Sequence, residues 1–203
     1  MSLPGAPVPP PPPGTPPPPP PPPPRQRTFG ATLGLLAVLF PVLFGGFIAA
    51  SGTTVPSGEP IAVAPGVTVT PPPGWAVVKQ QAGPPAVLTL SRGSAAVDVL
   101  VAADFSDPMQ VLESYRREVL GPQARSLQFS DQTESVAGPA GLSGVRGSYV
   151  GDFEGFQQTL EGEVTAFATA SGSGVVFDAY GAQGDLDAAR QEIHDMIDGA
   201  VLA

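Results

Sequence analysis

The sequence predicts an α+β fold for residues 61–203, an antiparallel sheet flanked by helices, behind one membrane-spanning helix and a disordered proline-rich tail. Three observations lead there. Runs such as Ala95–Ala103 and Phe156–Thr169 alternate along the chain with the period of a strand. Two stretches opening near Asp107 and Asp185 repeat apolar residues at helical spacing. Ahead of them, Thr28–Ala50 runs 23 residues without a charge.

The chain begins with a segment that has no means of building a core. Sixteen of the first 24 residues are proline, with an unbroken run from Pro16 to Pro24. Proline fixes φ and removes a donor, so residues 1–27 are expected as an extended, cytoplasmic, disordered tail of polyproline II character. Such a rod is either a ligand for an aromatic groove in a cytoplasmic partner or a compositional tail without one.

Residues 28–50 follow as the span, a contact with the lipid bilayer. A hydrocarbon core needs about 20 apolar residues, and the first acid after the stretch is Glu59. Pro41 removes one backbone hydrogen bond and is expected to kink the helix. Arg25 and Arg27 precede the span and no basic residue follows it until Lys79, which puts the N-terminus in the cytoplasm and the C-terminal domain outside a plasma membrane crossed once. A cleavable signal peptide is the competing reading, with Ala49, Ala50 and Ser51 as its small residues, but its apolar core would exceed the usual length. Gly30 and Gly34 form a GxxxG pair, a possible helix-dimer contact.

Residues 51–60 read as a linker, and the domain starts at Ile61. Val67–Thr70 and Trp75–Val78 read as strands separated by Pro71, Pro72, Pro73 and Gly74. Ala86–Leu90 and Ala95–Ala103 form a hairpin through Arg92, Gly93 and Ser94, with Val97, Val99 and Val101 facing the core and Asp98 and Leu100 on a face expected to be partly covered. Asp107 is the N-cap of a helix with Pro108 in its first position and Gln110 completing a capping-box spacing; Gly121 and Pro122 are expected to end it. Leu142–Val150, Phe156–Thr169 and Val175–Tyr180 are three further strands, the last two joined by the turn Ser171–Gly174. A helix from about Asp185, with Ile193, Met196, Ile197 and Val201 on its apolar stripe, closes the chain.

Composition excludes some functions. Seven basic and eighteen acidic residues follow the span, so the domain does not look like a nucleic-acid binder. The chain has no cysteine, which removes disulfides, lipidation through cysteine and thiolate chemistry. The single histidine, His194, lies between Ile193 and Asp195 and is read as an exposed surface residue, with no GxSxG motif to supply a nucleophile. Asp152, Glu154, Glu161 and Glu163 lack the spacing of a calcium loop and are read as a solvated face. Trp75 reads as a core anchor, its alternative being a groove residue. No catalytic residue, cofactor or metal is therefore expected.

The order of elements carries a resemblance. Pro72-Pro73-Gly74-Trp75, then strands, the helix opened by Asp107-Pro108, more strands, and the ending from Val175 to Ile197 together resemble the PsbP-like superfamily, including its LpqN-type lipoproteins. The resemblance implies an α/β/α sandwich used for binding or assembly and not for catalysis. A membrane helix stands here in place of the lipidated cysteine. The tail, arginine pair and span resemble actinobacterial proline-rich membrane proteins. The functional expectation is a non-enzymatic, membrane-anchored protein whose extracytoplasmic domain binds a cell-envelope protein or a lipid-like ligand. Two others compete with it: a proline tail that recruits a cytoplasmic partner beneath a structural outer domain, and an envelope hydrolase.

Overall fold

The computed structural model describes the backbone of residues 53–54 and the whole of residues 58–203. The proline tail, the span and the Gly30–Gly34 pair lie outside the described residues, and among those described no helix is long and apolar enough to cross a membrane. Inside the stretch expected as linker, strand β1 (Thr53–Thr54) pairs with the domain.

The remaining elements are β2 (Ile61–Ala64), β3 (Val67–Val69), β4 (Ala76–Gln81), β5 (Ala86–Arg92), β6 (Ala95–Ala103), α1 (Pro108–Tyr115), β7 (Ala124–Phe129), β8 (Glu134–Ala137), β9 (Ser143–Phe153), β10 (Leu160–Ala168), β11 (Ser173–Ala182), α2 (Arg190–Asp198) and β12 (Val201–Leu202). Nine strands form one antiparallel sheet in the order β1-β4-β5-β6-β11-β10-β9, with β7 and β8 both on the outer edge of β9. A second, small sheet runs β12-β3-β2. The large sheet divides the core in two. Leu112, Tyr115, Val119 and Leu120 of the first helical segment pack on one face with Tyr149, Phe153 and Tyr180. Ile193, Met196 and Ile197 of α2, with Val63, Val67, Val69 and Trp75, cover the other. The antiparallel sheet with helices on both faces is thus present as expected.

Several local expectations are corrected by packing. The face of β6 that carries Asp98 and Leu100 is covered by α1, leaving those residues 3% and 2% exposed. Asp107 does cap α1, its carboxylate accepting the Met109 N–H at 2.9 Å. Gly121 and Pro122 do not end the helical path: it widens into a π turn over Arg116–Leu120, with the Gly121 N–H bonded to the Arg116 carbonyl, and runs to Gln123. Pro122 sits in the first turn of that last helical piece, where a missing N–H leaves no gap. Strands β7 and β8 go beyond the expected elements: β7 alternates only at Leu127 and Phe129, which pack on the core, and β8 is mostly exposed, because both are edge strands. The terminal helix starts later than Asp185, after a 3₁₀ turn at Leu186–Ala188, and stops at Asp198, so Val201 is a half-exposed strand residue and not part of the helix stripe.

One glycine decides how the sheet packs under α1. Gly162 stands opposite Tyr149 in the β9–β10 register, and a Cβ on it would run into the Tyr149 ring. The missing side chain lets that ring lie across β10 toward β11. Gly162→Ala is therefore expected to lower stability by about 1–3 kcal/mol, the usual cost of overpacking, as read from the urea midpoint of the purified protein.

Candidate functional site

The outer edge of β9 changes partner part-way along. Phe129 of β7 pairs with Tyr149, and the next edge pair is Glu134 of β8 with Arg146. Between them, residues 130–133 leave the sheet plane, held by the Ser130 N–H on the Ser148 carbonyl at 2.8 Å and the Gln132 N–H on Ser130 Oγ at 3.2 Å. The break opens a groove of about 470 Å³. Ser130, Gln132 and Thr133 form its outer wall, Arg146 and Ser148 lie along its base, and Glu134 and Glu163 flank it. Its lining is polar, which suits a hydrogen-bonding segment more than an acyl chain.

Glu163 organises the side of the groove facing α2. Strand alternation puts Glu163 and Thr165 on the α2 face, and the four-residue spacing of Arg190 and His194 brings both toward them. The His194 Nε2–H donates to Glu163 Oε1 at 2.7 Å, the Arg146 Nε lies 3.3 Å from the same oxygen, and an Arg190 nitrogen lies 3.8 Å from Oε2. Arg146 Nε also lies 3.3 Å from Thr165 Oγ1. With 13% of its side chain exposed, Glu163 is not the solvated residue the sequence suggested, and His194, at 25%, is not a free surface histidine. Its bond ties α2 to β10 and pairs no nucleophile with a base.

The other acids separate. Asp152 accepts from Ser126 Oγ and Thr159 Oγ1, and Glu161 from the Leu186 N–H, and among the described residues no group of acids or histidine is placed to hold a metal. Trp75 is fully buried, as expected of a core anchor, and its indole N–H reaches Glu192, which also pairs with Arg92.

A second polar feature crosses the interior of the sheet. Lys79, Thr89, Asp98, Asp178, Val164 and Gly147 are successive register partners across β4, β5, β6, β11, β10 and β9. Thr89 donates to Asp98 Oδ1 at 2.6 Å and Tyr180 to Oδ2 at 3.3 Å; Tyr115 and Tyr149 donate to Asp178 at 2.7 and 3.0 Å. Asp98 and Asp178 each stand alone as the acid of an otherwise apolar strand. That was the signal available in the sequence, whereas the Arg146 groove had none, since its residues meet only through register.

No family model matches the sequence, and no curated protein matches it. Solved structures similar in fold include the following three. LpqN, involved in cell envelope biogenesis of Mycobacterium tuberculosis, is 13% identical, with 70% of this chain and 90% of LpqN covered and a TM-score of 0.48. The Saccharomyces cerevisiae Ran-binding protein Mog1p is 11% identical, with coverage of 66% and 82% and a TM-score of 0.44. A point mutant of Mog1 is 12% identical, with coverage of 69% and 85% and a TM-score of 0.44. The likeness in each case is one of backbone path.

Glu163→Ala strips the charge partner from three basic side chains of which two are mostly buried. It is expected to destabilise the domain by about 1–3 kcal/mol, measured as the shift in urea midpoint, and His194→Ala by less, because two arginines still hold Glu163.

Proposed function

We propose that this chain is a non-enzymatic recognition protein of the plasma membrane, crossing it once through residues 28–50 with the N-terminus inside and the domain of residues 61–203 outside. Its partner is an envelope protein that lays an extended polar segment into the groove between β7 and β8. The observation that carries this reading is the break in the β9 edge. It leaves polar groups of Ser130, Gln132, Thr133 and Arg146 facing an open channel, beside the outer edges of β7 and β8, which no strand covers among the described residues. The polar lining favours a protein segment over a lipid-like ligand. Absence of an activated nucleophile in the sequence supports a binding role. A cytoplasmic partner for the proline run Pro16–Pro24 is the second reading, favoured by the length of that run alone.

Capture of envelope proteins from a detergent extract by the full chain tests the proposal, beside Arg146→Ala and a form lacking Met1 to Pro24. A specific partner held by the full chain and the tail deletion, and weakened about ten-fold or more by Arg146→Ala, is the expected result. Capture that depends on the tail and ignores Arg146 would transfer the function to the cytoplasmic side.

A further inference from the structure

The buried acids do nothing for the groove directly, yet they connect to it. Tyr149, which bonds Asp178, stacks on Phe129 with ring centroids 6.0 Å apart. Phe129 ends β7 one residue before the groove wall begins, and Arg116 lies over its ring at 4.9 Å. Gly147, at the end of the same register row, lines the groove, and a Cβ there would meet the Phe129 ring. A continuous set of contacts therefore runs from Asp178 through Tyr149 and Phe129 to the residues that shape the groove.

The groups around the two acids are mostly neutral. β5 presents Thr89, β11 presents Tyr180, β9 presents Tyr149, α1 presents Tyr115, β10 presents the apolar Val164 and β4 presents Lys79, the one cation acting on Asp98. Glu113 and Glu118, on the helical segment above, pair with Arg116 and Arg117. Two carboxylates face each other as register partners at the sheet centre, 3% and 0% exposed, with no ion pair to either among the described residues.

We propose that Asp98 and Asp178 form a proton-binding site that regulates the groove: loss of the last proton held by the pair favours an opened state in which water enters beneath α1 and Tyr149 releases Phe129. The regulated surface is the groove of the proposed recognition function. Two like charges on adjacent buried strands raise the energy of the closed domain more than the hydroxyls and Lys79 offset, and admitting water relieves them. Burial pushes the Asp178 carboxyl up to about 7, aided by the charge of Asp98 and opposed by the Tyr115 and Tyr149 hydroxyls. Burial likewise pushes Asp98 up to about 6, opposed by Thr89, Tyr180 and Lys79. Both values lie above the ordinary 3.8, so their stabilising effect is full below about pH 4 and is lost as pH rises through about 6 and 7. The acids titrate as a pair.

Hydrogen exchange on the full chain in detergent tests this without any partner, so failure to capture a partner and failure of the switch are separate results. Protection of residues 108–120 and 127–134, corrected for the intrinsic exchange rate, is expected to fall about ten-fold or more from about pH 5 to about pH 8, while α2 on the opposite face keeps its protection. Asp98→Asn or Asp178→Asn alone leaves one buried acid and should weaken the dependence, while the double variant, which mimics both protonated acids, should remove it. Protection that does not change with pH in the unmutated chain, or a dependence that survives in the double variant, overturns the proposal. Infrared spectra supply an independent check should a variant not fold: a protonated carboxyl band in the unmutated chain at pH 6 that fades toward pH 8 is expected, and its absence also overturns it.

Discussion

A strand buried on both faces has no solvent side on which to place a polar group, and that constraint governs the centre of this domain. β6 and β11 pair over nine residues, from Ala95 opposite Gly181 to Ala103 opposite Ser173, with helices covering the sheet above and below. Asp98 and Asp178 must therefore find their hydrogen-bond partners inside the protein. They take them from hydroxyls on four other positions, so β5, β9, β11 and α1 are all fixed by the same pair of acids. Gly162 follows from this demand, because Tyr149 reaches Asp178 only by lying over a residue without a side chain.

The groove arises at the far end of the same geometry. β9 is 11 residues long, and no single short edge strand covers it; β7 takes its second half and β8 its first. Residues 130–133 connect two strands that lie in line on one edge, and the loop has to leave the sheet to do so. The Glu163 cluster then stiffens the base, since Arg146 from β9 and His194 and Arg190 from α2 converge on one carboxylate of β10. A recognition surface placed on a locked strand and helix gains from this stiffness, because little side-chain freedom is lost on binding.

The sequence makes some of this legible and hides the rest for physical reasons. Strands β5, β6, β10 and β11 and the Asp107 cap declare themselves through periodicity and local hydrogen-bonding chemistry, which depend on near neighbours only. β7 offers only the short alternation of Leu127 and Phe129, and β8 is silent, since edge strands with few buried residues need little apolar pattern. The continuation of the helix through Pro122 is likewise unreadable, because a π turn shifts the register that a proline would otherwise interrupt. Glu163 and His194 looked like solvated residues because each is covered by the element carrying the other, 31 residues away in sequence. Asp98 and Asp178 were visible as lone acids in apolar strands, but that they face each other depends on β11 joining β6 and not its sequence neighbours alone.

Charge separates how a partner arrives from how it is held. The chain after Ala50 is strongly acidic, so its long-range field draws basic partners and repels anionic lipid headgroups. The groove does not share that character. Glu163 is paired with Arg146, Arg190 and His194, which leaves Glu134 as the acid at the wall, so the lining is far less acidic than the domain as a whole. Steering over distance would therefore depend on salt, while retention in the groove would rest on hydrogen bonds to its polar lining, which salt screens little. A free lipid headgroup offers neither the length nor the repeated donors and acceptors that such a channel uses, whereas an extended polypeptide offers both along every residue. On the proposed reading, the break in the β9 edge therefore suits an extended polypeptide better than a headgroup.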